Sequence, residues 1–451
     1  MAPRAMTLEP TREQPTHVLV LIGTRPEAIK MFPVVQALER TGYFRPVVIT
    51  TGQHQDLVAP ILQLAGIEAD VDLGVGHPGL TLNDLVRLVM ERLDSFCRER
   101  FGATGAATAT RAALRADGFP GAALVHGDTS SALAAAVAAF NLRIPVGHVE
   151  AGLRTGTSLT PFPEEMNRQL ISRIAAIHLA PTSTNRQNLV REGVLDEQVF
   201  VTGNTGIDAL RFAAAQRVPF DDPAVTAAVE SGEYMVVTAH RRENWNGGLA
   251  RIAEAIGLLA DRRPETRFVL PLHPNPLVRT ELGLPLADKA NVVRTEPLAY
   301  AQFARLMSKA AVILTDSGGI QEEAPALGVP VLVARESTER GEGVAAGTLE
   351  LVGTDPATIV AEVGKVLDDP AAYRLDPADN PYGDGRAAER IAAAASYVAG
   401  IGPPPVPFGP PFSRKVALEA AGYSFDLEFA ESAPRGAQPD RTEELDGWVG
   451  R

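Results

Sequence analysis

The stretch Ala311-Val-Ile-Leu-Thr-Asp-Ser-Gly-Gly-Ile-Gln-Glu-Glu-Ala-Pro-Ala-Leu-Gly-Val-Pro-Val-Leu-Val333 decides the fold. Val312 to Leu314 is a short β-branched and apolar run of the kind that forms buried parallel strands. Thr315, Asp316 and Ser317 are cap-type residues, Gly318-Gly319 lets the backbone turn tightly, and Ile320, Ala324 and Leu327 follow at helical spacing. The predicted unit is strand, glycine turn, helix. The opening of such a helix presents unpaired backbone N–H groups beside Ser317, which suits a phosphate or diphosphate. Glu323, about two turns further on, is within reach of a sugar hydroxyl. The same residues also read as an ordinary βα turn with a solvated Gln321-Glu-Glu323 face.

Outward from this unit the pattern repeats. Strand-like runs precede it at Tyr234–Thr238, Arg267–Pro271 and Asn291–Arg294, and Val329–Val333 follows within the same stretch. An earlier series reads at His17–Ile22, Pro46–Thr50, Ala122–Val125, Pro145–Val149, Ala176–Leu179 and Val199–Val201, with helical patterns between. Repeated βαβ means parallel, doubly wound sheets, and 451 residues are too many for one core. The expected fold class is α/β with two Rossmann-like domains facing each other across a cleft. The expected boundaries are 17–203 and 204–385, followed by a helix over 386–400. Residues 1–16 read as a disordered leader, and 401–451 as a Pro-rich disordered tail.

Composition narrows the function. A net charge of −13 argues against a general nucleic-acid surface. No run is apolar enough to span a membrane, and Met1–Gln14 lacks the apolar core of a secretory signal. A single cysteine, Cys97, excludes an intramolecular disulfide and a cysteine metal cage, so a cytoplasmic location is expected.

Ligands of open α/β sheets bind beyond the carboxyl ends of the strands, and polar residues fall there one after another. Arg25 and Lys30 follow the first strand and fit phosphate binding or charge stabilisation. Gln53 and His54 follow the second. His126, Asp128, His148 and Glu150 follow the next two, and their types bind zinc or manganese, but no tight ligand spacing appears and no metal is expected. Asp128 is also placed to cap the helix from Ser130. In the second half, His240 follows one strand and His273 the next. Glu164 and Arg168 stand at i,i+4 on a helix opened by Pro161-Phe-Pro163: either a surface ion pair or a carboxylate overlooking the cleft. Gly23-Thr-Arg25 lacks the dinucleotide-binding glycine pattern, and no cofactor is expected.

In order along the chain stand Gly23-Thr-Arg-Pro-Glu-Ala-Ile-Lys30, His126-Gly-Asp-Thr129, Gly147-His-Val-Glu-Ala-Gly-Leu-Arg-Thr155, Pro163-Glu-Glu-Met-Asn-Arg168, Gly203-Asn-Thr205, His240-Arg-Arg-Glu243, Thr315-Asp-Ser-Gly-Gly-Ile-Gln-Glu-Glu323 and Asn380-Pro-Tyr-Gly-Asp-Gly385. Together they resemble the non-hydrolysing UDP-N-acetylglucosamine 2-epimerases, over about residues 17–397. The resemblance implies a GT-B-like arrangement whose last helix packs back on the first domain. It implies interconversion of UDP-N-acetylglucosamine and UDP-N-acetylmannosamine through elimination of UDP to 2-acetamidoglucal, in the supply of cell-surface polysaccharide. By motif position it makes Asp128, Glu150 and Glu164 the acid/base carboxylates. His240, Arg25 and Lys30 would stabilise the diphosphate, and Ser317, Gly318 and Gly319 would hold phosphate. Glu323 would take the ribose, Phe303 the uracil region, and Arg168, Arg340 and His273 further polar contacts. The implied partner is a UDP-sugar, and the expected assembly a homodimer. Two departures stand out. Gln53-His-Gln-Asp56 has Asp56 where the family often has a Gln that helps form an activating substrate site, so weak activation is expected despite Gln53 and His54. Glu339-Arg-Gly-Glu342 replaces a common Glu-Arg-Pro-Glu.

Overall fold

The alternation of apolar residues along the first strand already dictates two covered faces. In the computed structural model, which describes residues 14–102 and 118–409, Val18, Val20 and Ile22 enter one core while Leu19 and Leu21 enter another on the opposite face. Side chains alternate across a strand, so both faces of this one are packed. Around it lie seven parallel strands: β1 (Thr16–Ile22), β2 (Phe44–Thr50), β3 (Val71–Asp72), β4 (Ala122–His126), β5 (Val146–Val149), β6 (Ile177–Ala180) and β7 (Val199–Val201), in the order β3-β2-β1-β4-β5-β6-β7. Six more form a second parallel sheet: β8 (Tyr234–Thr238), β9 (Arg267–Pro271), β10 (Val292–Thr295), β11 (Val312–Thr315), β12 (Val331–Val333) and β13 (Leu349–Leu351), in the order β10-β9-β8-β11-β12-β13. The expected α/β class with two doubly wound sheets is what the chain adopts. Strand order reverses beside β1 and beside β8, and crevices open at such points.

The two halves share a core. Val20 and Phe32 of the first half belong to the same buried cluster as Val236, Ile313 and Val333 of the second. The helices Arg25–Thr41, Thr205–Ala215 and Tyr300–Ser308 carry this cluster between the sheets. Phe32 and Phe212 meet edge to face, their centroids 5.2 Å apart. The late helix, Ala387–Val398, packs on Arg25–Thr41. Asp208 holds its start, accepting from the backbone N–H groups of Ala387 and Ala388 at 3.2 and 2.9 Å. Thr16 belongs to β1. Residues 1–13 of the leader and 410–451 of the tail, both expected to be disordered, lie outside the described residues.

The quoted stretch folds as strand, short helix (Gly318–Glu323) and 3-10 turn (Ala324–Leu327). The glycines do not supply the tight turn expected of them, since both stand inside the helix. What Gly318 provides is room: a Cβ there would lie 2.9 Å from Arg340 Cζ.

Candidate active site

The helix Arg25–Thr41 starts at the carboxyl end of β1. Thr24 is its N-cap, and Glu27 Oε2 accepts from the Thr24 and Gly23 N–H groups at 2.7 Å each. Glu27 Oε1 accepts from Thr129 Oγ1 at 2.7 Å, tying this turn to the loop that carries Asp128. The fixed turn brings Lys30 onto Glu150, with which it forms a partly buried ion pair. Glu150 follows β5 with φ +64°, a left-handed conformation that costs a non-glycine residue about 1–2 kcal/mol. Such strain is tolerated where the rest of the structure holds it, and functional sites are where it collects. The same Glu150 oxygen, Oε2, lies 3.4 Å from His126 Nε2.

Asp128 belongs to the same neighbourhood. It does not cap the helix from Ser130; Thr129 does, accepting from Ala132 N–H at 3.0 Å. The Asp128 carboxylate instead takes Arg168 Nη1 at 2.5 Å. Arg168 also corrects the i,i+4 expectation: its partners are Asp128 and Glu165, not Glu164. Below the turn, His148 is fully buried, and Nε2 lies 2.7 Å from the carbonyl of Gly127, whose φ is +67°. A carbonyl only accepts, so Nε2 carries the proton. Burial pushes this imidazole down to about 3, and it is neutral.

Proton affinities diverge across the site. Burial raises Asp128, and Glu150 adds to the effect, outweighing Arg168 and His126. Burial also opposes ionisation of Glu150, but Lys30 and His126 prevail and hold that carboxyl well below the usual range. The Lys30 ammonium is disfavoured by burial, yet Glu150 and Glu322 carry it above its ordinary value. Glu323, deep in the cleft, is pushed up to about 8 by burial, against Lys30 and with help from Glu322 and Glu150.

The second sheet contributes through Asp316, which is fully buried after β11. It is not a cap of its own helix. Its carboxylate accepts from the N–H groups of His240 (2.9 Å) and Arg241 (2.8 Å) and from Asn244 Nδ2 (2.9 Å), so it shapes the loop after β8. His240 stacks on His273, with centroids 5.3 Å apart and planes 8° from parallel. Burial lowers the His240 imidazole even though Asp316 opposes the shift, and His273 and Arg241 lower it further. Arg340 donates Nε to Glu322 at 2.9 Å and pairs with Glu339, while Glu322 Oε2 accepts from Asn204 Nδ2 at 2.6 Å. Thr182 Oγ1 donates to Glu342 at 3.1 Å, a contact from the first half to the second.

Between the halves lies a cleft of about 470 Å³. It gathers Arg25, Lys30, Glu150, Phe303, Ser317, Gly319, Glu323 and Arg340 from the sequence-predicted set. Gly318 borders it through Arg340, and Asp128, paired with Arg168, does not line it but is close enough to Glu150 to feel its charge. His240 and His273 form a separate pair at the end of the second sheet. Gln53 accepts from Ser131 Oγ at 3.0 Å, and His54 caps the helix Gln55–Leu64 in whose first turn Asp56 is exposed. Glu164 opens the helix Glu164–Ile174 with a buried Oε2 that has no hydrogen-bond partner among the described residues. Sequence reasoning missed Glu165, Glu322 and Asp316 as site residues. The first two each stand beside another Glu, and only their positions on folded helices tell the neighbours apart.

Solved structures share this arrangement. UDP-GlcNAc 2-epimerase from Neisseria meningitidis bound to UDP-GlcNAc matches with a TM-score of 0.70 at 38% identity, covering 85% of this chain and 100% of that one. The Methanocaldococcus jannaschii UDP-GlcNAc 2-epimerase in complex with UDP-GlcNAc and UDP matches with a TM-score of 0.64 at 30% identity, covering 85% and 100%. Fold and cleft define a GT-B-like α/β enzyme. A family model described as UDP-N-acetylglucosamine 2-epimerase matches residues 36–396, and the Escherichia coli K12 UDP-N-acetylglucosamine 2-epimerase is 44% identical over 391 residues, covering 84% of this chain and 97% of that protein. The chain belongs to the UDP-N-acetylglucosamine 2-epimerase family, and it is an isomerase.

Proposed function

We propose that the protein interconverts UDP-N-acetylglucosamine and UDP-N-acetylmannosamine without hydrolysing them. The observation that carries this reading is geometric: beside the cleft, Lys30 pairs with Glu150 and Arg168 with Asp128, which sets two carboxyls with different partners in one charged neighbourhood. Two neighbouring carboxyls with different partners suit the paired tasks of giving and taking a proton. Inversion at C2 needs both: a base removes the proton on one face, and an acid returns it on the other.

In the proposed sequence, the C2–H electron pair becomes the C1=C2 double bond as the C1–O bond breaks. UDP leaves with that bond's pair, and 2-acetamidoglucal remains bound. Protonation of C2 from the opposite face and re-addition of UDP at C1 complete the epimerisation. Asp128, Glu150 and Glu164 serve as acid/base groups. Arg25 and Lys30 meet the departing diphosphate, together with His240. Ser317, Gly318 and Gly319 hold phosphate, Glu323 the ribose and Phe303 the uracil side, and Arg340 and His273 supply further polar contacts, while Arg168, taken up by Glu165 and Asp128, holds Asp128. UDP affinity then resides in the second half, residues 204–385. A cytoplasmic homodimer belongs to the same reading, and light scattering checks its mass.

Incubation with UDP-N-acetylglucosamine alone, read by proton NMR, tests the proposal. Formation of UDP-N-acetylmannosamine supports it. Free sugar plus UDP would make the enzyme a hydrolysing epimerase, and unchanged substrate would remove the assignment.

A further inference from the structure

Glu165 is fully buried (0% exposed) at the start of the helix Glu164–Ile174. Its Oε2 accepts from the Thr155 backbone N–H at 3.1 Å and from Arg168 Nε and Nη2 at 3.1 and 2.6 Å. Its Oε1 accepts from Gln169 Nε2 at 3.1 Å. Four donors commit the carboxylate to its ionised, accepting form, so it is not available for proton transfer. Arg168, equally deep, uses its remaining Nη1 on Asp128 Oδ2 at 2.5 Å. Asn167 donates Nδ2 to the Asp128 carbonyl at 2.8 Å. One helical turn therefore grips Asp128 by main chain and side chain, and Glu165 is the anchor that fixes the plane of the guanidinium.

We propose that Glu165 is a positioning residue for Asp128, acting through Arg168, and that it fastens the Thr155 end of the loop 155–163 to the same carboxylate. The inference rests on the acid/base role given to Asp128 above. The charged and titratable groups that face Asp128 are Arg168, Glu150 and His126, and Arg168 is the one that faces Glu165. The guanidinium serves two carboxylates, so only part of its charge favours ionisation of Asp128. Removing the Glu165 charge leaves Arg168 to Asp128 alone. Asp128 then holds its proton less tightly, and whichever limb of the pH–rate profile it governs moves to lower pH. Lost alignment lowers kcat more than it raises KM.

The test uses the full chain with UDP-N-acetylglucosamine, comparing wild type, Glu165→Gln and Glu165→Asp. The Gln variant should lose about 10–100-fold in kcat with KM changed less than about threefold, and its limb should move to lower pH. The Asp variant, with the charge retained on a shorter arm, should lose rate but keep the wild-type limb. A Gln variant that is folded by circular dichroism, with wild-type kcat and an unmoved limb, overturns the proposal. If the Gln variant does not fold, the Asp variant decides: a lowered kcat on an unmoved limb supports the proposal, and a shifted limb or an unchanged kcat overturns it. Failure of the wild type to epimerise would instead overturn the proposed function, and this inference with it.

Discussion

Asp128 and Glu150 show how position, rather than residue type, sets chemistry. Both are carboxylates after neighbouring strands, yet Lys30 lies against Glu150 and Arg168 against Asp128, where burial and the Glu150 charge prevail. Asp128→Asn, Glu150→Gln and Glu164→Gln keep shape and remove charge, and each should lower turnover at least ~100-fold with UDP binding largely retained. Initial rates with calorimetric UDP binding check this, and near-normal rates in all three would dismiss the residue assignment. Glu323 predicts a pH dependence of stability. Its folded value of about 8 lies above the ordinary carboxylate range, so the folded state binds this proton more tightly than the unfolded one. The stability it contributes is complete below the ordinary carboxylate range and is lost as pH rises through about 8. Melting temperatures followed from pH 5 to 9 should therefore carry a downward slope that Glu323→Gln removes; the same slope in that variant would refute the assignment. Arg25, Lys30, Glu150 and Ser317 were legible as polar side chains after strands, whereas Phe303 and Arg340 came only with the family resemblance. Glu165 and Glu322 were not, because a sequence shows two adjacent carboxylates and does not show which one meets an arginine.

At the scale of elements, hydrophobic runs gave the strands their places to within a few residues. Two were invisible. β3 has two residues, and β13 pairs only with β12 and includes the exposed Leu351, so neither has the buried apolar run that marks a parallel strand. The short helix Gly318–Glu323 is the more instructive case. Its sequence reads as a glycine turn, but the glycine requirement comes from the Arg340 guanidinium arriving from the loop after β12. Gly318→Ala should displace that guanidinium while leaving stability within about 0.5 kcal/mol of wild type, since a flexible side-chain end can yield. UDP affinity should fall by about 5–10-fold, on the scale of one charge-assisted hydrogen bond weakened. Calorimetry decides it: unchanged affinity would show that Arg340 does not need its present place.

At the scale of the molecule, the shared core was not legible. Both series of strands suggested two Rossmann-like units facing across a cleft, and did not show that one buried cluster runs from Val20 through Phe32 to Val236 and Ile313. Sequence periodicity reports which face of an element is apolar and is silent on which partner covers it. The contact between the halves, Thr182 with Glu342, borders the same cleft as the Asn204–Glu322 contact at the start of the second half. With Asp56 exposed beside His54, substrate saturation should be close to hyperbolic; a steep Hill slope abolished by His54→Ala or His273→Ala would reveal a second substrate site. The central claim is that UDP leaves and C2 is reprotonated from solvent-exchangeable groups. Turnover of UDP-N-acetylglucosamine in deuterated water tests it most directly. The account predicts deuterium at C2 of both epimers, with UDP and 2-acetamidoglucal accumulating on long incubation. An epimer that retains its original C2 hydrogen would contradict it.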